Sequence, residues 1–199
     1  MADKGKLIVI SGPSGAGKST VVGRAIQGRE DMCFSTSVTT RGPRPGEVDG
    51  KDYFFIDEER FRRMVEQGEL LEHASYVSHS YGTPKAFVEQ QMDAGMNVIL
   101  DIEVQGARQV REKMSDAVLV FIVPPSMEEL RRRLEGRGTE NAETIAARLQ
   151  RAREELKEAS LYDYIIVNDV VDEAAAEFAA ILKAEHCRYS HRKHLLESM

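Results

Sequence analysis

The chain has 199 residues, 42% of them hydrophobic and 30% charged, an ordinary balance for a globular protein long enough to bury a core. Its net charge of −6 at pH 7 argues against a general nucleic-acid binder, which carries a basic field. Two cysteines, Cys33 and Cys187, form neither a disulfide framework nor a zinc spacing. The apolar run Leu7–Ile10 is too short for a signal peptide, and no run approaches the roughly 18 residues of a membrane span. The expectation is a cytoplasmic protein with no nucleic-acid and no membrane partner.

Taken in chain order, short apolar runs alternate with amphipathic stretches. "LIVI" at 7–10 reads as a strand, followed by "GPSGAGKST" from Gly12 to Thr20 and a helical "VVGRAI". Residues 39–53, "TTRGPRPGEVDGKDY", set Arg41 and Arg44 among prolines and glycines. "YFFI" at 53–56 reads as a strand. A helix is expected from near Asp57 to Gly68 with Phe61, Met64 and Val65 on its apolar side. Another is expected with Thr83 as cap, Pro84 at its first position and Gly95 as its stop. "NVILDI" at 97–102, "VLVFIV" at 118–123 and "YIIV" at 164–167 are further strands, apolar enough for a sheet covered on both faces. Ser126 and Glu129 form a capping box. Residues 126–157 predict two helices joined by a polar turn, and a last helix is expected over about 172–188 with Phe178, Ile181 and Leu182 together. Strands alternating with helices predict an α/β fold with a mainly parallel sheet. Residues 35–83 and 126–157 break the rhythm and read as a small lobe and a helical appendage.

The first chemistry-bearing motif is G-x-x-x-x-G-K-[ST]. Gly12, Pro13, Ser14, Gly15, Ala16, Gly17, Lys18, Ser19 and Thr20 follow a strand and precede a helix, the context the motif requires. Its glycines let backbone N–H groups converge on a phosphate chain, and the helix adds its positive end. Lys18 suits the outer phosphates of a nucleoside triphosphate, and the Ser19 hydroxyl suits Mg2+. Asp101 stands at the carboxyl edge of a buried strand, where ligands of open α/β sheets bind, and can order the water shell of Mg2+.

A triphosphate cradle alone leaves a GTPase, an ATPase and a kinase open. The arginine loop is a second anion site, because a guanidinium fork holds phosphate oxygens in a bidentate way, and Tyr53 and Tyr81 offer hydroxyls. Six stretches then carry a family likeness: "GPSGAGKST", "SVTTRGPRPGEVDGKDYFF", "LLEHASYVSHSYGTP", "VILDIEVQGARQV", "FIVPPSMEELRRRLEGRGTE" and "YIIVND". In this order, over about residues 7–170, the chain resembles the guanylate kinases.

That resemblance implies a P-loop kinase core (1–34, 84–125 and 158–199), a GMP-binding lobe (35–83) and a lid (126–157) that closes over ATP. It implies that Arg41, Arg44, Tyr53 and Tyr81 hold the GMP phosphate and that Ser37, Glu72 and Thr83 read guanine. Asp101 and Glu103 would serve the GMP side. Arg133, Arg137 and Arg148 match the lid arginines of the family, and Asn168 matches a contact to the adenine end of ATP. Lys18, Arg44, Arg137, Arg148 and Asp101 would carry catalysis. A carboxylate at Glu72 suits guanine, whose ring N–H and exocyclic amine lie side by side; adenine lacks that donor pair. The implied reaction moves the γ-phosphoryl group of ATP to GMP, and also dGMP, with Mg2+ and without a general base, since no histidine falls at a motif position. A non-catalytic interaction module of the same fold is the alternative, and a kinase for another monophosphate is a third reading that Glu72 opposes. The sequence assigns no oligomeric state.

Overall fold

A computed structural model describes residues 4–76, 78–136 and 141–197. The strands are β1 (Leu7–Ser11), β2 (Met32–Phe34), β3 (Val38–Thr39), β4 (Phe54–Phe55), β5 (Leu70–Tyr76), β6 (His79–Pro84), β7 (Asn97–Asp101), β8 (Val118–Val123) and β9 (Tyr164–Val167). The helices are α1 (Lys18–Ile26), α2 (Glu58–Glu66), α3 (Lys85–Asp93), α4 (Val104–Lys113), α5 (Met127–Glu135), α6 (Ala142–Lys157), α7 (Val171–His186) and α8 (Tyr189–Glu197). They fall into two compact units, Met1–Val9 with Glu30–Ala117, and Ile10–Arg29 with Val118–Met199. Strand β1 belongs to both.

In the first unit β2, β7 and β1 are successive neighbours in the main sheet, with β2 and β7 parallel. β7 buries four residues and ends on exposed Asp101, the edge position expected for it. A separate sheet runs β4-β3-β6-β5: β3 pairs parallel to β4 and antiparallel to β6, and β5 and β6 form an antiparallel pair. Its apolar side packs Val38 and Leu70 against Phe61 and Met64 of α2. Helix α2 starts near Asp57 as expected, with Asp57 as its cap accepting from the Arg60 N–H. Helix α3 does not start on a threonine cap: Pro84 is its cap residue, and the buried Thr83 hydroxyl points elsewhere.

In the second unit β1, β8 and β9 are successive neighbours, with β8 and β9 parallel. β8 is buried through its first five residues. β9 is an edge strand and alternates, burying Ile166 while Ile165 and Val167 stay half exposed, so the expected two-sided burial does not extend to it. Helix α1 packs on α7, and Arg24 pairs with Asp172 at 2.7 Å. Helices α5 and α6 enclose Leu130, Leu134, Ile145, Leu149 and Ala152. Ser126 caps α5 by accepting from Glu129 N–H, and Asn141 caps α6 by accepting from Thr144 N–H. No helix among the described residues is long and apolar enough to cross a membrane.

Candidate active site

The second unit holds the phosphate cradle. Gly12 and Gly17 have φ of 146° and 85°, where side chains are strained. Both are also tightly enclosed: a Cβ at Gly12 would lie 2.0 Å from the Ile122 carbonyl oxygen, and one at Gly17 would lie 2.3 Å from Asn168 Nδ2. The loop therefore lies on β8 and on Asn168 with no room for a methyl group. Asn168 is buried and donates from Nδ2 to the Ala16 carbonyl at 2.8 Å, bracing the loop from beneath. Lys18 opens α1 and donates from Nζ to the Gly12 carbonyl at 2.7 Å. Ser19 and Thr20 are exposed on the first turn, at the positive end of the helix.

Two further candidate arginines are engaged in the same unit. Arg148 on α6 donates to the Ser14 hydroxyl at 2.9 Å. Arg133 on α5 donates to Glu129 at 2.7 Å and to the Asn168 carbonyl at 2.9 Å. Glu129 accepts from Arg132 as well, and hydrogen bonds from Arg132 and then Arg133 pull its carboxyl down to about 2. Arg137 lies outside the described residues.

The first unit holds the arginine loop. The Arg41 guanidinium meets Glu47 through two bonds of 2.9 and 2.8 Å and donates to the Gly42 carbonyl at 2.8 Å. These bonds use three of its five N–H donors. The guanidinium carbon stands 5.3 Å from the Tyr53 ring centre and 5.8 Å from that of Phe55. The Tyr81 hydroxyl also bears on it, and the Tyr53 and Tyr81 rings meet edge-on at 6.1 Å. Glu47 further accepts from the Arg44 backbone N–H at 2.7 Å, which leaves the Arg44 side chain exposed at the loop's tip. The Arg41 bond, followed by the Arg44 N–H, holds the Glu47 carboxyl at about 2.

Glu72 lies on β5 and is 6% exposed. The fully buried Thr83 hydroxyl donates to Glu72 Oε1 at 2.6 Å, which is the partner it takes in place of a helix cap. Burial pushes the Glu72 carboxyl up; the Thr83 bond and the Lys113 charge pull it down, and the Glu103 charge raises it. Ser37 is half-buried just before β3, and its carbonyl accepts from Phe54 N–H at 2.9 Å. Glu103 is the exposed cap residue of α4. Arg41, Tyr53 and Tyr81 thus form one cluster, and Glu72 with Thr83 another. Three residues not anticipated from the sequence bear on these candidates: Glu47 binds Arg41, Glu129 binds Arg133, and the Lys113 charge acts on Glu72. Glu47 sits inside the quoted arginine loop, and its spacing to Arg41 and Arg44 was the available signal.

A chain with a triphosphate cradle in one unit and an arginine anion loop in the other is of the P-loop nucleoside monophosphate kinase class. The family model "Guanylate kinase" matches residues 4–185. The chain is 52% identical to the guanylate kinase of Lactococcus lactis subsp. lactis, over 94% of this chain and 92% of that one. It is 51% identical to the guanylate kinase of Caldanaerobacter subterraneus subsp. tengcongensis, over 96% and 93%. The crystal structure of guanylate kinase from Anaplasma phagocytophilum superposes with a TM-score of 0.74 at 39% identity, covering 100% of this chain and 96% of that one. The chain belongs to the guanylate kinase family and is an ATP:GMP phosphotransferase.

Proposed function

We propose that the chain transfers the γ-phosphoryl group of ATP to GMP, and to dGMP in the same site, giving ADP and the nucleoside diphosphate, with Mg2+ accompanying ATP. In this reading Gly12 to Thr20 cradle the ATP phosphates, Lys18 neutralises the outer ones, and Arg133, Arg137 and Arg148 meet the charge of the transferring group. Asn168 supports the loop end of the ATP site, which its bond to Ala16 favours. Arg41 and Arg44, with Tyr53 and Tyr81, hold the GMP phosphate, and a guanidinium fork is the right shape for two phosphate oxygens. Glu72, Thr83 and Ser37 read guanine, with Asp101 and Glu103 on the GMP side. Residues 35–83 act as the GMP lobe and 126–157 as the lid.

The observation that carries the base assignment is the buried Glu72 carboxylate. One oxygen is pinned by Thr83, and a buried acid of this kind needs donors; guanine supplies two side by side.

Mg2+ takes oxygen ligands and keeps several waters, so it needs few protein groups. No cluster of three or more His, Cys, Asp or Glu side chains suited to a metal occurs among the described residues. The exposed Ser19 hydroxyl and the exposed Asp101 carboxylate are donors of the right kind, and the fit is to an ion carried largely by phosphates and water. When bound, such an ion offsets charge on the outer phosphates.

The acceptor needs no general base. A phosphate monoester has a second pKa of about 6, so at neutral pH GMP is mostly a dianion ready to attack. Positioning and charge stabilisation then account for the rate. The intact cradle gives no support to a non-catalytic module. A cytoplasmic setting belongs to the same reading, which the free thiols of Cys33 and Cys187 suit.

The test is a coupled assay with Mg-ATP against GMP, dGMP, AMP, CMP and UMP. Turnover confined to GMP and dGMP is expected; comparable turnover of AMP would remove Glu72 from base selection, and no turnover of any would return the module reading.

A further inference from the structure

Base reading by Glu72 requires its carboxylate to be aimed, and β5 alone does not aim it. The β5–β6 pairing slips between Leu70 and His73, so that Leu71 and Glu72 both stand opposite Thr83. Such a bulge leaves backbone groups unpaired and turns a side chain out of the regular alternation. Helix α4 packs against this bulged stretch and supplies what the ladder lacks. Gln109 accepts from His73 N–H at 3.2 Å and donates to the His73 carbonyl at 3.0 Å, imitating a neighbouring strand. Lys113 donates to the Leu70 carbonyl at 2.9 Å. The helix thus grips the strand on both sides of Glu72.

The third contact is a missing side chain. Gly106 is buried inside α4, and a Cβ there would lie 2.8 Å from Glu72 Oε2 and 3.4 Å from its carboxyl carbon. Glycine is unfavourable within a helix, so helix formation does not explain it. Glu72 Oε1 is held by Thr83, and Oε2 occupies the space that Gly106 leaves. Positions 106, 109 and 113 are spaced by three and four residues, which puts them on one helix face.

We propose that this face of α4 is the template for base selection: Gly106, Gln109 and Lys113 are positioning residues that set the Glu72 carboxylate at the place where the amine edge of guanine meets it. This rests on Glu72 reading guanine. An added methyl at 106 meets the ends of two side chains, Glu72 and, at 3.2 Å, Ile102, and no backbone, so the fold accommodates it by moving the carboxylate against its Thr83 bond. The fold tolerates that shift and base selection does not.

The experiment measures kcat/KM for GMP and for IMP, which lacks the exocyclic amine, together with KM for ATP and the thermal midpoint. The variants are Gly106→Ala, Gln109→Met, Glu72→Gln and the double variant Gly106→Ala with Glu72→Gln. For Gly106→Ala we expect an equal or higher midpoint and an unchanged KM for ATP. We expect kcat/KM for GMP to fall about tenfold to a hundredfold, the scale of a lost charged hydrogen bond, with a matching loss of GMP-over-IMP preference. Gln109→Met should lose the same preference. In the Glu72→Gln background the Gly106→Ala change should add less than about threefold, because the group it displaces is no longer reading the base. If Glu72→Gln loses the preference while Gly106→Ala and Gln109→Met keep it, the template is wrong and base reading stands. If Glu72→Gln itself keeps the preference, base reading fails. A lowered midpoint for Gly106→Ala, with GMP and IMP efficiencies falling together, would make position 106 a packing site and overturn the proposal.

Discussion

Two carboxylates of the first unit, Glu72 and Glu47, are tuned in opposite directions, and the sign of each has a consequence. Burial raises Glu72, so its charged form opposes folding. A raised folded pKa gives stability that is full below the ordinary carboxylate range and lost as pH rises through the folded value. Glu72→Gln should therefore stabilise the ligand-free protein at pH 7–8 by about 1 kcal/mol, the scale of relaxing one functional site. That gain should shrink as pH falls toward 4. Urea unfolding at several pH values measures it, and a gain that grows toward low pH would contradict the burial argument. Glu47 is the reverse: its pairing with Arg41 is intact above the ordinary carboxylate range and is lost as pH falls toward about 2. It stays charged wherever the enzyme works, so its role is to hold Arg41's fork in place. Glu47→Gln should raise KM for GMP several-fold to about tenfold and leave KM for ATP unchanged, as steady-state kinetics will show. The arginines of this loop were marked in the sequence as candidate anion ligands. Glu47 was not, because an acid in a polar loop is ordinarily solvated, and only the folded loop brings it back onto Arg41.

Elements were legible where the signal is local and obscure where it is long-range. Ser126 caps α5 as its spacing to Glu129 predicts, and α2 starts near Asp57 as expected, with Asp57 as its cap, since these bonds close within one turn. Thr83 carries the same kind of signal before Pro84, but its hydroxyl is taken by Glu72, eleven residues back across a hairpin. Strand β5, "LLEHASY", lacks an apolar alternation because it carries Glu72 and a bulge. Site chemistry erased the very pattern by which a strand is read. The same coupling of element to site appears in α5. A Cβ on Gly15 of the cradle would lie 3.0 Å from Leu130 and 3.1 Å from Leu134, so the apolar cluster of α5 and α6 also floors this loop. Leu134→Ala should destabilise the protein by about 2–5 kcal/mol, as buried leucine truncations do. It should also weaken ATP binding while GMP binding, measured by calorimetry, changes little. Equal weakening of both would show that the cavity acts through general loosening and not through the loop.

At the scale of the whole molecule, the two proposed anion sites belong to different compact units. Gly12 to Thr20, Arg133 and Arg148 fall in the second, while Arg41, Tyr53, Glu72, Thr83 and Asp101 fall in the first. This division was not legible: residues 35–83 and 126–157, which stand out by composition, are each only part of one unit, and the break at β1 runs through one apolar strand and leaves no trace in its sequence. A ligand that binds the folded protein stabilises it by mass action, about 2.7 kcal/mol at a hundredfold excess over Kd, and most strongly where its contacts are. Hydrogen exchange should accordingly separate the two substrates. ATP with Mg2+ is expected to slow exchange in the cradle and along α1, and GMP to slow it in residues 38–55, β5 and β6. Lys18→Ala should abolish the first pattern and keep the second; Arg41→Ala should do the opposite. These two variants are informative because each removes a cation from one unit only. If GMP alone protects the cradle and leaves the arginine loop exchanging as before, the loop is not the acceptor site, and the assignment of Arg41, Tyr53 and Tyr81 to the GMP phosphate is wrong.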